Sequence, residues 1–114
     1  MKKLLFLLMM PVLCFGQYTS IPDQNFEQAL IDFGYDDVID RKVLTMNIDT
    51  VKKLNVWKKY ISDLTGIEDF TALTYLNCDD NQLTSLDVSG CTALTDLNCS
   101  YNQLTNLDLS NNTA

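Results

Sequence analysis

Residues 73–93 read LTYLNCDDNQLTSLDVSGCTA, and residues 94–114 read LTDLNCSYNQLTNLDLSNNTA. The two stretches are identical at 14 of 21 positions without a gap. Self-similarity at so short a fixed period marks a solenoid, in which each repeat forms one coil and buries apolar surface against its neighbours. The shared anchors are Leu73/Leu94, Leu76/Leu97, Cys78/Cys99, Asn81/Asn102 and Leu83/Leu104, followed by Leu86/Leu107 and Val88/Leu109. Leu76 and Cys78 alternate with Tyr75, Asn77 and Asp79, so the spacing predicts a short strand that turns Leu and Cys inward. Strands of successive coils then lie in parallel, ~4.8 Å apart. Asn81 and Asn102 fall where the chain turns off the strand, and a buried amide there can satisfy backbone groups that the bend leaves unpaired.

A more divergent copy precedes these two. VKKLNVWKKYISDLTGIEDFTA, residues 51–72, repeats the spacing with Val51, Leu54, Val56, Ile61 and Leu64, and Ile67 and Phe70 fill the back of the coil. It is one residue longer, and Lys59 stands where the other copies carry Asn, so the first coil should turn differently. The first coil of a solenoid needs a cover for its apolar edge. Phe26, Ala29, Leu30 and Phe33 share one helical face, with Asp23 as N-cap and Gly34 just past the end. This predicts a helix over 23–33 that caps the first coil; the alternative is that the helix is itself a binding element. Leu44, Met46 and Ile48 alternate with polar residues, which predicts a short strand leading into the coil.

The chain's first 16 residues read as a secretory signal. Lys2 and Lys3 precede the apolar run Leu4 to Leu13, and Cys14-Phe15-Gly16 place small residues on either side of Phe15, with cleavage before Gln17. The apolar run is shorter than the ~20 residues a spanning helix needs, and Leu13 is bulkier than the residue that lipoprotein processing wants before its Cys. The organisation is therefore a signal over 1–16, a helical cap over 17–50 and repeats over 51–114 (51–72, 73–93 and 94–114). The array is expected to continue past Ala114, because that residue fills the last position of a repeat. As the sequence stands, Leu97, Cys99, Leu104, Leu107 and Leu109 should expose one edge, and end-to-end self-association is the partner this edge invites.

At these residues the chain resembles a known family. The pattern L-x-x-L-x-C-x-x-N-x-L is that of leucine-rich repeats with Cys at the third apolar site. The 22-residue copy is similar to the internalin-like type. The Cys-containing 21-residue copies, behind a signal and the leader Ile21-Pro22-Asp23-Gln24-Asn25-Phe26-Glu27-Gln28-Ala29-Leu30, resemble exported arrays of Bacteroidota. The resemblance implies an α/β solenoid, right-handed and mostly short parallel strands, that is secreted or displayed on the cell surface. It also implies that partners bind on the concave strand face.

Charge and composition narrow the functions. Fifteen Asp and Glu face eight Lys and Arg, a net charge of −7. Without Lys2 and Lys3 six basic residues remain against 15 acidic ones. Phosphate backbones are repelled by such a chain, which argues against nucleic acid, and anionic membranes are no better a partner. The absence of histidine excludes Ser-His-Asp and Cys-His catalysis and His-ligated metals. Asp36, Asp37 and Asp40 lack the spacing of a calcium loop and are expected to be a solvated acidic turn. Asp79 and Asp80 are adjacent, with no cleft to set them across a substrate. No cofactor is implied, and no enzyme.

The candidate partner face consists of Lys53, Asn55, Trp57, Lys58, Tyr75, Asn77, Asp79, Asp80, Asp96, Asn98, Ser100 and Tyr101. Seven positions differ between the two close copies, and three of these lie on this face: Tyr75/Asp96, Asp79/Ser100 and Asp80/Tyr101. A constant framework with a varied surface suits a module that binds a protein or a glycan, with Trp57, Tyr75 and Tyr101 as aromatic anchors. The alternative is a structural spacer or display segment with no ligand of its own. Three cysteines follow the signal, an odd number. Cys78 and Cys99 are expected in the core rather than in a disulfide. Cys91, in the back loop, is expected to be the exposed thiol.

Overall fold

The inward spacing of Leu54, Leu76 and Leu97 sets three short strands in register, and the rest of the chain is arranged around them. The computed structural model describes residues 17–114, so the secretory-signal reading of 1–16 lies outside the described residues. Strand β1 spans Tyr18–Ser20, helix α1 Gln24–Asp32, and β2 Lys42–Leu44. The strands β3 (Lys53–Asn55), β4 (Tyr75–Asn77) and β5 (Asp96–Asn98) follow. They form one parallel sheet in the order β3-β4-β5, with Leu54 beside Leu76 and Leu76 beside Leu97. The stacked coils are those the repeat spacing predicts.

One apolar core runs through the coils and into the helix. Leu54, Val56, Ile61, Ile67, Phe70, Leu73, Leu76, Cys78 and Leu83 are all buried. Burial declines along the stack: Leu76 and Leu83 are fully buried, whereas their equivalents Leu97 and Leu104 are only partly so and Leu109 is 46% exposed. Leu97 and Leu104 thus join the core's margin rather than its centre, because nothing among the described residues packs on the outer side of their coil.

Asn81 stitches the first two coils together. Its Oδ1 accepts the amides of Lys59 and Ile61, at 3.0 and 2.9 Å, and its Nδ2 donates to the carbonyls of Val56, Cys78 and Asp79. Asn102 repeats the pattern one coil later, donating to Cys78, Cys99 and Ser100 and accepting from Leu83 N. The first coil does turn differently. Lys58, Asp80 and Tyr101 occupy equivalent left-handed positions, but Tyr60 adds another (φ 59) that the later coils lack. Lys59 has no amide oxygen for this turn, and its own backbone is held by Asn81 of the next coil.

The helix begins where Asp23 predicts. Asp23 Oδ1 accepts the amides of Asn25 and Phe26. Its Oδ2 accepts those of Ser62 and Asp63 in the first coil, at 2.9 and 3.0 Å, so one carboxylate starts the helix and docks it. Phe26 stacks on Phe70 with centroids 6.2 Å apart. Phe33 departs from the expected face. It is the C-cap residue, where the chain has left the helical stripe, and it is 42% exposed.

The segment after the helix also differs from expectation. Leu44 ends β2, Met46 sits in a 3-10 turn over Thr45–Asn47 with 57% exposure, and Ile48 is buried. β2 pairs antiparallel with β1 rather than joining the coil sheet. The alternation at 44–48 therefore marks a turn that buries Ile48, not a strand. Gly66 (φ 109) lets this small sheet approach, since a Cβ there would collide with the Ile21 side chain and lie 2.7 Å from Ser20 O.

Candidate functional site: the outward face of the coil sheet

Alternation along β3, β4 and β5 turns Lys53 and Asn55, Tyr75 and Asn77, and Asp96 and Asn98 away from the core. The register aligns them as two rows, Lys53/Tyr75/Asp96 and Asn55/Asn77/Asn98. Trp57, Asp79 and Ser100 extend the same face, and the left-handed Lys58, Asp80 and Tyr101 close it. The six strand residues singled out from the sequence are brought to one side, and the other six follow them where each coil leaves the sheet. Tyr75, Asn77 and Asp79 in the middle coil are half-buried by their neighbours, and the others are exposed. Trp57 is 52% exposed and Tyr101 81%.

The Asn row has a common geometry. Oδ1 of Asn55 accepts Trp57 N, Oδ1 of Asn77 accepts Asp79 N and Oδ1 of Asn98 accepts Ser100 N, at 3.0, 3.0 and 3.2 Å. Each side-chain oxygen is thus committed to its own turn, which leaves the NH2 end of each amide as the group on offer. Charge is graded across the face. Lys53 and Lys58 belong to the first coil, with Lys58 Nζ 5.9 Å from the Trp57 ring, while Asp79, Asp80 and Asp96 belong to the second and third. Residues 60–114 contain no Lys or Arg at all.

A cavity of about 330 Å³ opens at the edge of this face, lined by Phe33, Tyr35, Lys53, Leu54, Asn55 and Tyr75. The Phe33 and Tyr35 rings lie 6.2 Å apart at 59°. Sequence reasoning missed both. The exposed position of Phe33 follows from where the helix ends, and only the fold brings residues 33–35 beside β3 and β4.

Residues 71–113 match the family model described as Leucine Rich repeats (2 copies). The match takes in the two close copies, 73–93 and 94–114, and leaves out nearly all of the 51–72 coil. The chain is 37% identical over 71 residues to Internalin J of Listeria monocytogenes serotype 4b (strain F2365), covering 60% of this chain and 7% of that protein. Among solved structures, the functional domain of InlJ from Listeria monocytogenes, described as including a cysteine ladder, superposes with a TM-score of 0.74 at 36% identity. That match covers 86% of this chain and 22% of the InlJ domain. The internalin inlF from Listeria monocytogenes gives 0.69 at 28% identity, over 82% of this chain and 28% of the other. The chain therefore spans a small part of the internalins it matches.

The cysteines are inward-facing repeat residues. Cys78, Cys91 and Cys99 are free thiols, the first two fully buried. Burial pushes Cys78 up to about 12, with Cys99 adding to the effect, and pushes Cys91 up to about 11. Cys91 is not the exposed thiol that its back-loop position suggests. Its Sγ–H donates to Ile67 O, 3.3 Å away, because the back of each coil packs on the coil before it. Cys99 is the half-buried one.

The acidic turn is also more structured than its spacing suggests. Glu27, on the buried side of α1, is fully enclosed, and its two carboxylate oxygens accept the amides of Asp40 and Arg41. Glu27, Asp36 and Asp40 each bring an oxygen within 4.8 Å of the others. Burial, together with the neighbouring Glu27 carboxylate, pushes Asp36 up to about 6 against the lowering pull of the Asp37 amide. Asp36 is thus partly buried and not simply solvated, while Asp37 and Asp40 are exposed. Glu27 went unnoticed because an acid on a helix normally signals a solvent face.

Proposed function

We propose that this chain is an exported, non-enzymatic leucine-rich repeat module that binds a protein or glycan through the outward, concave face of its strands, with α1 capping the first coil. The observation that carries the reading is the contrast between the two sides of β3, β4 and β5. Their inward positions are the repeated Leu54, Leu76 and Leu97, whereas one outward row changes from coil to coil, Lys53, Tyr75 and Asp96, and the exposed Trp57 and Tyr101 follow just beyond the strands. Selection for folding alone constrains the inward side, and exposed Trp and Tyr on a rigid sheet are the residues that anchor interfaces. Export is supported by the charged and apolar run before Gln17 and by the likeness to internalins.

The reading is tested on a printed array of purified extracellular proteins and oligosaccharides, probed with the chain and with a Trp57→Ala/Tyr75→Ala/Tyr101→Ala variant. Binding lost in the variant at unchanged circular dichroism supports it. Binding that survives the triple substitution, or no binding to any spot, overturns it and leaves the spacer reading in its place.

A further inference from the structure

We infer that the ligand of this face is a neutral, linear glycan that lies across the strands, with one ring seated in the aromatic cavity beside α1. The inference rests on the proposed binding function and specifies its ligand class. It starts from Asn55, Asn77 and Asn98, which face outward in register with each oxygen turned back onto the chain. What remains is a row of like donors, one per coil, spaced by the distance between neighbouring strands, ~4.8 Å. A ligand that uses the whole row must present acceptors at that period. Same-side groups of an extended polypeptide recur every ~6.7 Å, twice the rise per residue, and fall out of step after one contact. An extended 1,4-linked chain of pyranose rings advances by close to one strand spacing per sugar. Successive rings are flipped, but both edges of every ring carry hydroxyl or ring oxygens, so an acceptor meets each donor where a polypeptide offers one only at every second residue.

The ends of the row agree with this ligand. At the first coil the row runs into the cavity lined by Phe33, Tyr35, Leu54 and Tyr75, whose volume of about 330 Å³ lies at the small end of ligand sites. Aromatic faces are electronegative and attract the C–H bonds that line a sugar ring. Toward the later coils, Asp79, Asp80 and Asp96 would repel a polyanion. That excludes uronic acid chains and nucleic acids from the same track and leaves an uncharged glycan.

The test is a nuclear magnetic resonance titration of the purified, nitrogen-15-labelled full chain with cellotetraose, chitotetraose and mannotetraose, and with tetragalacturonate as the charged comparator. Binding of a neutral tetrasaccharide should shift the side-chain NH2 signals of Asn55, Asn77 and Asn98. Asn77→Asp keeps an oxygen that can accept Asp79 N but exchanges the NH2 donor for a second, negatively charged oxygen, so it should weaken binding at least ten-fold while circular dichroism shows the fold retained. Tyr75→Leu, which keeps bulk without the ring, should do the same. If no neutral tetrasaccharide binds, or if binding ignores both substitutions, the inference is overturned. Should a protein on the array still depend on Trp57, Tyr75 and Tyr101 in that case, the binding-module reading survives and only the glycan falls. If nothing depends on the face, both fall.

Discussion

Removing the side chain of Asn81 should cost this protein more than removing the same side chain one coil later. Asn81→Ala breaks five hydrogen bonds, but not all of their partners are orphaned. Cys78 O still accepts from Asn102, and Asp79 O still accepts from Lys58 N. The groups left bare are Ile61 N, Val56 O and, nearer solvent, Lys59 N. A buried polar group without a partner costs about 1–3 kcal/mol, so two such groups and one that water can reach predict a loss of about 3–5 kcal/mol. Asn102→Ala strands Leu83 N and Cys99 O in a half-buried setting, since Ser100 O keeps Asp80 N, and should cost about 1–2 kcal/mol. Urea titration followed by circular dichroism measures both, provided that the denaturant slope stays constant between variants. A cost below about 1 kcal/mol for Asn81→Ala, or equal costs at the two sites, would refute the argument that these amides act by satisfying buried backbone.

Three further outcomes are expected. Gly66→Ala places a Cβ against Ile21 and Ser20 at a backbone angle that L-residues rarely adopt, and should destabilise by about 3 kcal/mol or more; Gly34→Ala, also at positive φ but in open space, should cost about 1 kcal/mol, and thermal melts separate the two. In native protein at pH 8, iodoacetamide should label Cys99 well before Cys78 or Cys91, as read by peptide mass mapping; equal labelling of Cys91 would contradict its burial. Asp36 holds its proton more tightly in the folded chain, to about 6 against the ordinary 3.8, because of its burial and its Glu27 contact, so the folded state binds the extra proton between those values. Its contribution to stability is present at the acid end of that window and lost as pH rises to about 6, and Asp36→Asn should abolish that part of the pH dependence in melts run from pH 4 to 7.

The periodic part of the molecule was legible because repetition reports the same environment more than once. Leu76 and Leu97, Asn81 and Asn102 each have a counterpart that fixes their role, and the structure places the first of each pair where the spacing does. Residues 17–50 have no such counterpart. The alternation of Leu44, Met46 and Ile48 suits a strand and a 3-10 turn equally well over three positions, and the pairing of β1 with β2 decided between them. Cys91 was misplaced because its partner position holds Asn112, a polar residue whose side chain donates to Val88 O and Cys91 O from within the coil. The strand part of the face, Lys53 and Asn55 with their counterparts, followed from alternation, whereas Lys58, Asp80 and Tyr101 sit at left-handed turns that alternation does not predict. The cavity beside it depends on Phe33 and Tyr35, forty residues upstream of Tyr75, and no local pattern links them.

The carboxylate of Asp23 has a consequence for the order of folding. Half of its bonds are to residues two and three positions ahead, and half are to residues 39 and 40 positions ahead. A nine-residue helix is short of the length that persists by itself in water. As the chain emerges from its amino end, α1 can flicker into shape early but has nothing to hold it until Ser62 and Asp63 arrive. Helix and first coil should therefore lock in a single late step, and a chain interrupted before residue 62 should leave Phe26 and Leu30 open to any chaperone that recognises bare apolar surface.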